Sequence, residues 1–114
     1  MNRTVLVVDD DPLILDWTAG LLGDLGCDVV TAPNAIEALV KLKTDKRIDV
    51  LITDINMPGM SGFQLVEKAQ QRHEGLQVIL LSGLEADGRG FPMIRKPFLK
   101  ADLVRTMEQA TRPS

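Results

Sequence analysis

The sequence predicts an α/β fold in which a doubly wound, five-stranded parallel sheet carries helices on both faces. Five short runs of aliphatic and β-branched residues alternate with segments of helical periodicity along the 114-residue chain. Continuous apolar runs of this kind are typical of strands that are buried on both faces. Strands separated by helices form βαβ units with right-handed crossovers, and such units build a parallel sheet.

Length and composition indicate a single globular domain over residues 1–114. The chain is 45% apolar and 25% charged, and it contains no run near the roughly 20 apolar residues that a membrane span needs. The net charge of −3 provides no basic surface for nucleic acid. A single cysteine, Cys27, excludes an internal disulfide and a multi-cysteine metal cluster. We therefore expect a cytoplasmic monomer without nucleic-acid or membrane contacts.

The first half of the chain predicts three strands and two helices. Asp11 before Pro12 supplies an N-cap and a first helical residue, and Gly26 suits the position just after that helix. Helical spacing places Trp17 on the apolar stripe of the first helix and predicts a core position for it; the alternative is an exposed docking face formed with Leu13. Asn34 caps the second helix. The predicted strands cover residues 5–8, 28–31 and 49–53, and the helices cover residues 12–25 and 35 into the charged stretch 43–47.

The second half of the chain predicts two helices and two strands. Ser61 can cap the third helix, and His73 near its end is expected to be a solvated charge. The segment 83–91 contains three glycines, each of which disfavours a helix by about 1 kcal/mol, so a turn or loop is expected there. The predicted ranges are helices 61–73 and 99–110 and strands 77–81 and 92–95.

Polar side chains follow four of the five predicted strands. Asp9 and Asp10 follow the first strand, and Asp54 follows the third. Ser82 and Lys96 follow the fourth and the fifth. In open parallel sheets, ligands bind beyond the carboxyl ends of the strands, so we expect these five side chains to meet at one edge. The sequence lacks the motifs G-x-G-x-x-G and G-x-x-x-x-G-K-[ST], which argues against a dinucleotide site and a P-loop.

Carboxylates crowded at that edge need a compensating positive charge. Two like charges about 5 Å apart repel by roughly 3 kcal/mol at an effective dielectric constant of about 20. Mg²⁺ prefers oxygen ligands and binds phosphate oxygens as well as one or two carboxylates. The acidic residues therefore predict a Mg²⁺ site, with the Lys96 ammonium as a second positive charge.

Taken together, these motifs resemble the receiver domain of bacterial two-component response regulators. The matching segments are V-V-D-D ending at Asp10, D-I-N-M-P-G-M-S-G from Asp54 to Gly62, then Ser82, and K-P-F beginning at Lys96. The match runs from the first strand to the last helix and so covers nearly the whole chain. The resemblance implies a CheY-like, flavodoxin-like fold with strand order 2-1-3-4-5.

The resemblance also implies how the acidic residues act. Asp54 would be the phosphoacceptor, because an ionised carboxylate is already a nucleophile. Asp10 and Asp54 would hold Mg²⁺ directly, joined by the backbone carbonyl of Asn56. Asp9 would order the water shell of the metal.

The resemblance further assigns the phosphoryl contacts and the partners. Lys96 and Ser82 would stabilise the oxygens of the transferring phosphoryl group, and a cis bond between Lys96 and Pro97 would aim the ammonium inward. The donor would be a phosphohistidine of a sensor histidine kinase or a histidine phosphotransfer protein, and phosphorylation would switch protein contacts. Such a domain is not an enzyme for an external substrate, although it assists its own phosphorylation and dephosphorylation.

Two features depart from the family pattern. A typical receiver has a full fourth helix where residues 83–91 lie, so the resemblance implies a fourth helix that is shortened or absent, as in receivers of hybrid sensor kinases and some stand-alone relatives. Met93 lies where the family carries a Tyr or Phe that moves on activation. We therefore expect a different switch, and we do not expect dimerisation through that face.

Alternative interpretations of the same residues remain. Asp9 and Asp10 could only cap the first helix, and Asp54, Ser82 and Lys96 could be ordinary residues of loops. A Mg²⁺-dependent phosphatase with an aspartyl nucleophile shares the chemistry, but it needs a second acid and a capping element that the sequence does not show. A phosphorylation-independent interaction domain is the other alternative. The chain could be a stand-alone receiver or a part of a hybrid kinase or longer regulator.

Overall fold

The five strands form one parallel sheet in the computed structural model, which describes residues 1–83 and 87–111. The order across the sheet is β2-β1-β3-β4-β5, and every neighbouring pair is parallel. The predicted fold class and strand order are confirmed. The strands are β1 (Thr4–Val8), β2 (Asp28–Ala32), β3 (Val50–Asp54), β4 (Gln77–Ser82) and β5 (Met93–Arg95).

The described residues form four helices, which cover both faces of the sheet. They are α1 (Pro12–Asp24), α2 (Ala35–Thr44), α3 (Gly62–Arg72) and α4 (Lys100–Ala110). On one face α2 and α3 contribute Leu42 and Leu65 to the core, and on the other α1 and α4 contribute Leu22 and Leu103. None of these helices is long and apolar enough to cross a membrane.

The predicted helix caps are present. The side chains of Asp11, Asn34 and Ser61 each accept a backbone hydrogen bond at a helix N-terminus. Gly26 follows α1 with a φ of 86°, in the left-handed region that glycine adopts readily. These four residues define where three helices begin and where the first one ends.

The expected core position of Trp17 and the expected solvated position of His73 were wrong. Trp17 is 50% exposed, because α1 turns Leu21 and Leu22 toward the sheet and leaves Trp17 at the edge of that face. His73 is half-buried at the C-terminus of α3, and its Nε2 lies 2.7 Å from the carbonyl oxygen of Leu42 at the end of α2. Its ring thus joins two helix ends.

The connection between β4 and β5 contains no helix in its described residues, 83 and 87–92. The other three residues of that predicted loop, 84–86, lie outside the described residues. Gly88 and Phe91 close a turn through a 3.0 Å hydrogen bond from the Phe91 amide to the Gly88 carbonyl. The shortened or absent helix that the sequence predicts at this position is therefore confirmed.

Candidate functional site

Asp9 and Asp10 leave the carboxyl end of β1 and differ in exposure. All five residues of β1 are buried, so the chain emerges from the core directly at these two acids. The Asp9 carboxylate is 0% exposed, whereas Asp10 is exposed. Oδ1 of Asp9 accepts a 2.9 Å hydrogen bond from the backbone amide of Asp11. That bond fixes the orientation of the buried carboxylate.

Asp54 is the last residue of β3, and its side chain is 8% exposed. Oδ1 of Asp54 accepts a long hydrogen bond of 3.4 Å from the backbone amide of Asn56, which itself is exposed. Gly62 packs against the same strand end, since a Cβ there would lie 2.2 Å from the carbonyl oxygen of Asp54. Because only glycine fits, α3 begins in direct contact with the strand end that carries Asp54.

Lys96 follows β5 and reaches both buried carboxylates. Its Nζ lies 2.7 Å from Oδ2 of Asp9 and 3.3 Å from Oδ2 of Asp54. Its backbone amide donates a 2.7 Å hydrogen bond to the carbonyl of Ser82, the buried last residue of β4. The peptide bond between Lys96 and Pro97 is cis, as the resemblance implied. Four of the five predicted side chains, those of Asp9, Asp10, Asp54 and Lys96, therefore meet at one edge of the sheet, and the backbone of Ser82 adjoins them.

Burial and ion pairing together set the charges of this cluster. Burial raises the pKa of Asp54 above its ordinary value; the neighbouring Lys96 opposes that shift and Asp9 adds to it. Burial alone would lower the pKa of Lys96, but its contacts with Asp9 and Asp54 outweigh burial and raise that pKa. Lys96 is therefore held as an ammonium. One cation faces two buried carboxylates and a third, Asp10, close by.

A divalent cation fits the negative charge that Lys96 does not balance. One carboxylate oxygen from each of Asp9, Asp10 and Asp54 lies within 4.8 Å of the others. Oδ2 of Asp9 is buried and pairs with the Lys96 ammonium, so this one cation neutralises only part of the charge of the three acids. The donor set therefore fits Mg²⁺, which prefers carboxylate oxygens.

Comparison with known proteins agrees with this geometry. Residues 5–108 match the family described as the response regulator receiver domain. The chain belongs to this family. Receiver domains are phosphoacceptor signalling domains of two-component systems, and they bind Mg²⁺ at an acidic pocket. The acidic cluster of this receiver domain lies where that pocket is expected.

Similar proteins include full regulators as well as isolated receivers. The heme response regulator HssR of Staphylococcus aureus is 41% identical over 81 residues, which cover 71% of this chain and 35% of HssR. The match thus spans about a third of the length of this curated relative. The chemotaxis protein CheY4 of Vibrio cholerae superposes with a TM-score of 0.87 at 29% identity, covering 96% of this chain and 99% of CheY4. The receiver domain of the hybrid histidine kinase CckA has a TM-score of 0.85 at 30% identity, covering 96% of this chain and 99% of that domain.

Two contacts of the site were not expected from the sequence. The close packing of Gly62 against Asp54 could be anticipated only from the fixed spacing of the two residues within the motif D-I-N-M-P-G-M-S-G. Asp11 was assigned as a helix cap, and its amide additionally holds Asp9. Met93 begins β5 opposite Leu80 and is half-buried, so a flexible side chain lies where the resemblance implied an aromatic ring.

Proposed function

We propose that this receiver domain, residues 1–114, takes one phosphoryl group from a phosphohistidine onto Asp54 and thereby switches its protein contacts. The observation that carries the proposal is the contact of Lys96 Nζ with both Asp9 and Asp54, at 2.7 and 3.3 Å, beside the exposed carboxylate of Asp10. An ammonium next to a nucleophilic carboxylate is suited to the charge that develops in phosphoryl transfer.

Asp54 is the nucleophile of the proposed reaction. One of its carboxylate oxygens forms a bond to phosphorus while the phosphorus–nitrogen bond of the phosphohistidine breaks. The electron pair of that bond leaves with the imidazole, which is then protonated. Negative charge in the transition state lies on three equatorial oxygens. The ammonium of Lys96 and the hydroxyl of Ser82 donate to those oxygens, and the hydrogen bond between their backbones keeps the two donors together.

The proposed metal site consists of three side chains and one carbonyl. Asp10 and Asp54 would hold Mg²⁺ directly, together with the backbone carbonyl of Asn56. Asp9 would orient water ligands of the metal. The difference in exposure supports these roles, because the exposed Asp10 is open to a hydrated ion and the buried Asp9 is held by a backbone amide. When bound, Mg²⁺ neutralises the carboxylates and binds phosphoryl oxygens.

The proposed donor is a sensor histidine kinase or a histidine phosphotransfer protein. The similarity to HssR, a response regulator, and to the receiver of CckA, a hybrid histidine kinase, supports a donor of this class. In this role the chain is not an enzyme for an external substrate, although its own residues assist the gain and loss of the phosphoryl group. We propose that it acts in the cytoplasm as a monomer and through a protein partner.

Acetyl phosphate tests the proposal without knowledge of the partner. With Mg²⁺ present, intact mass should show one added phosphoryl group that is lost in acid. Asp54→Asn should remove this addition, and Asp16→Asn, which changes an exposed acid of α1, should retain it. Chelation of Mg²⁺ should abolish labelling of the unmodified chain.

Other outcomes would favour the alternative functions. Sustained hydrolysis of a generic phosphomonoester would indicate a phosphatase. A chain that binds Mg²⁺ but never gains a phosphoryl group would indicate an interaction domain. Labelling that persists in Asp54→Asn would contradict the assignment of the acceptor.

A further inference from the structure

Arg89, in the connection between β4 and β5, lies on the ring of Phe63. The guanidinium carbon is 3.9 Å from the ring centroid, within the range of a cation–π contact. Phe63 is the second residue of α3, is half-buried and packs against the core cluster on that face of the sheet. The contact therefore attaches the connection that replaces a helix to the start of α3.

The backbone around Arg89 adopts a conformation that few residues with a side chain adopt. Its φ is 53°, in the left-handed region, and Gly90 follows with a φ of 88°. Two successive positive φ values are typical of a type I′ turn, which favours Asn or Gly. Oδ1 of Asp87 accepts a 2.9 Å hydrogen bond from the Arg89 amide and supports this turn. A backbone held in this way for a bulky cation points to a role for the side chain.

The base of the same connection carries Ser82 and Lys96, the two residues proposed to donate hydrogen bonds to the phosphoryl oxygens. Ser82 ends β4 and Lys96 follows β5, and Arg89 lies midway between them in the sequence. The 2.7 Å hydrogen bond from the Lys96 amide to the Ser82 carbonyl closes the base. The contact with Phe63 anchors the described tip of the connection.

Phe63 is in turn connected to the phosphoacceptor. It follows Gly62, which packs so closely against the backbone of Asp54 that a Cβ would lie 2.2 Å from the carbonyl oxygen. The amide of Gly62 donates a 2.8 Å hydrogen bond to the carbonyl of Ile55, the residue after Asp54. These two contacts fix the start of α3, and with it Phe63, relative to the strand end that carries Asp54.

We propose that Arg89 and Phe63 are positioning residues for the phosphorylation of Asp54. Their contact holds the connection against α3 and thereby keeps Ser82 and Lys96, at its base, at a fixed distance from Asp54. This inference rests on the proposed function. An exposed cation–π contact changes an equilibrium by about two- to fivefold, so a loss of that size is expected in the phosphorylation rate.

Four single variants test the role of the contact. Arg89→Gln removes the cation and Arg89→Lys keeps one, while Phe63→Leu removes the ring and keeps an apolar side chain. Arg47→Gln is the matched control. Arg47 is an exposed arginine that pairs with Asp45 near the amino end of β3, whereas the site lies at the carboxyl ends of the strands.

The readout is the initial rate of Asp54 labelling at saturating acetyl phosphate and saturating Mg²⁺. We expect Arg89→Gln and Phe63→Leu each to lower this rate about two- to fivefold. The double variant that combines Arg89→Gln with Phe63→Leu should be no slower than either single variant, because both changes remove the same contact. Arg47→Gln should stay close to the unmodified chain, and Arg89→Lys, which keeps a cation but not the planar guanidinium, should lie between it and Arg89→Gln. Mg²⁺ affinity, measured by the fluorescence of Trp17, should be equal in all variants, because a positioning role leaves the acidic cluster intact.

Three results would overturn the positioning role and leave the proposed function standing. These are an unchanged rate in Arg89→Gln, a rate in Arg89→Lys as low as in Arg89→Gln, and a parallel loss of Mg²⁺ affinity that indicates general loosening. A fully folded, unmodified chain that is never labelled on Asp54 would instead contradict the proposed function itself.

Discussion

Gly62→Ala tests the contact between α3 and the strand end that carries Asp54. The new Cβ would lie 2.2 Å from the carbonyl oxygen of Asp54 and 2.8 Å from the Cα of Ile55. Both are backbone atoms, so neither can rotate away as a side chain would. To restore ordinary van der Waals separation, α3 or the end of β3 must move by about 1 Å.

The expected loss of stability follows from this overlap. Overpacking typically costs about 1–3 kcal/mol, and a clash with backbone on two sides places Gly62→Ala at the upper end, at about 3 kcal/mol. With a urea dependence of about 2 kcal/mol per molar, the unfolding midpoint should fall by about 1.5 M. The same shift should slow the phosphorylation of Asp54, because the strand end that carries it is displaced.

Gly20→Ala is the matched control for a glycine with space around it. Gly20 is exposed in the interior of α1, and no described atom outside its own helix turn lies within 4 Å of the position of a Cβ. Alanine favours a helix over glycine by about 0.5–1 kcal/mol, so this variant should be more stable than the unmodified chain.

Urea unfolding, followed by the fluorescence of Trp17, measures both glycine variants in one assay. A midpoint for Gly62→Ala within about 0.3 M of the unmodified chain would refute the reasoning, since it would correspond to less than about 1 kcal/mol. A loss in Gly20→Ala as large as in Gly62→Ala would refute it too, because the effect would then not depend on the space around the glycine.

Three further predictions concern the charge cluster and the core. Lys96→Met leaves the buried carboxylates of Asp9 and Asp54 without their cation, and should cost about 3 kcal/mol at pH 7 in urea unfolding. This loss of stability should become smaller toward pH 4. In Lys96→Met the already raised pKa of Asp54 rises further, so the folded state binds more protons than the unfolded chain as the pH falls. An equal loss at pH 5 and pH 7 would contradict this reasoning. Mg²⁺ at ten times its Kd should add about 1.4 kcal/mol to the free energy of unfolding, and a gain of that size in Asp10→Asn would show that Asp10 is not a ligand. The thiol of Cys27 should react slowly with a disulfide reagent in the folded protein and rapidly in urea, because burial raises its pKa; fast labelling of the folded protein would contradict its buried position.

The sheet edge was predictable because it depends on strand ends, which the sequence marks clearly. Buried parallel strands are continuous apolar runs, so the polar residues after them identify where each strand leaves the core. Asp9, Asp54 and Lys96 were located in this way, although they are far apart in the chain. The rule that ligands bind beyond the carboxyl ends then brought them together without any knowledge of distances.

Contacts that depend on shape were not predictable in the same way. Trp17 has helical spacing that fits the core, but the rotation of α1 on the sheet leaves it half exposed. The close packing of Gly62 depends on how near α3 approaches the backbone at the end of β3, and residue types alone do not determine that distance. The position of Arg89 over Phe63 depends on a positive φ that the sequence G-R-G permits without requiring.

The acids and the lysine of the site come from parts of the sheet that differ in resistance to local opening. β1 and β3 are central strands, and all their residues are buried, whereas β5 is an edge strand of three residues. Amides in such an edge exchange with solvent through fluctuations that leave the central strands closed. Fraying of β5 would therefore withdraw Lys96 from Asp9 and Asp54 while both acids stay in place. Hydrogen exchange should then be slow for the amides of β1 and β3, which lead to the acids, and fast for the amides of β5, which leads to Lys96.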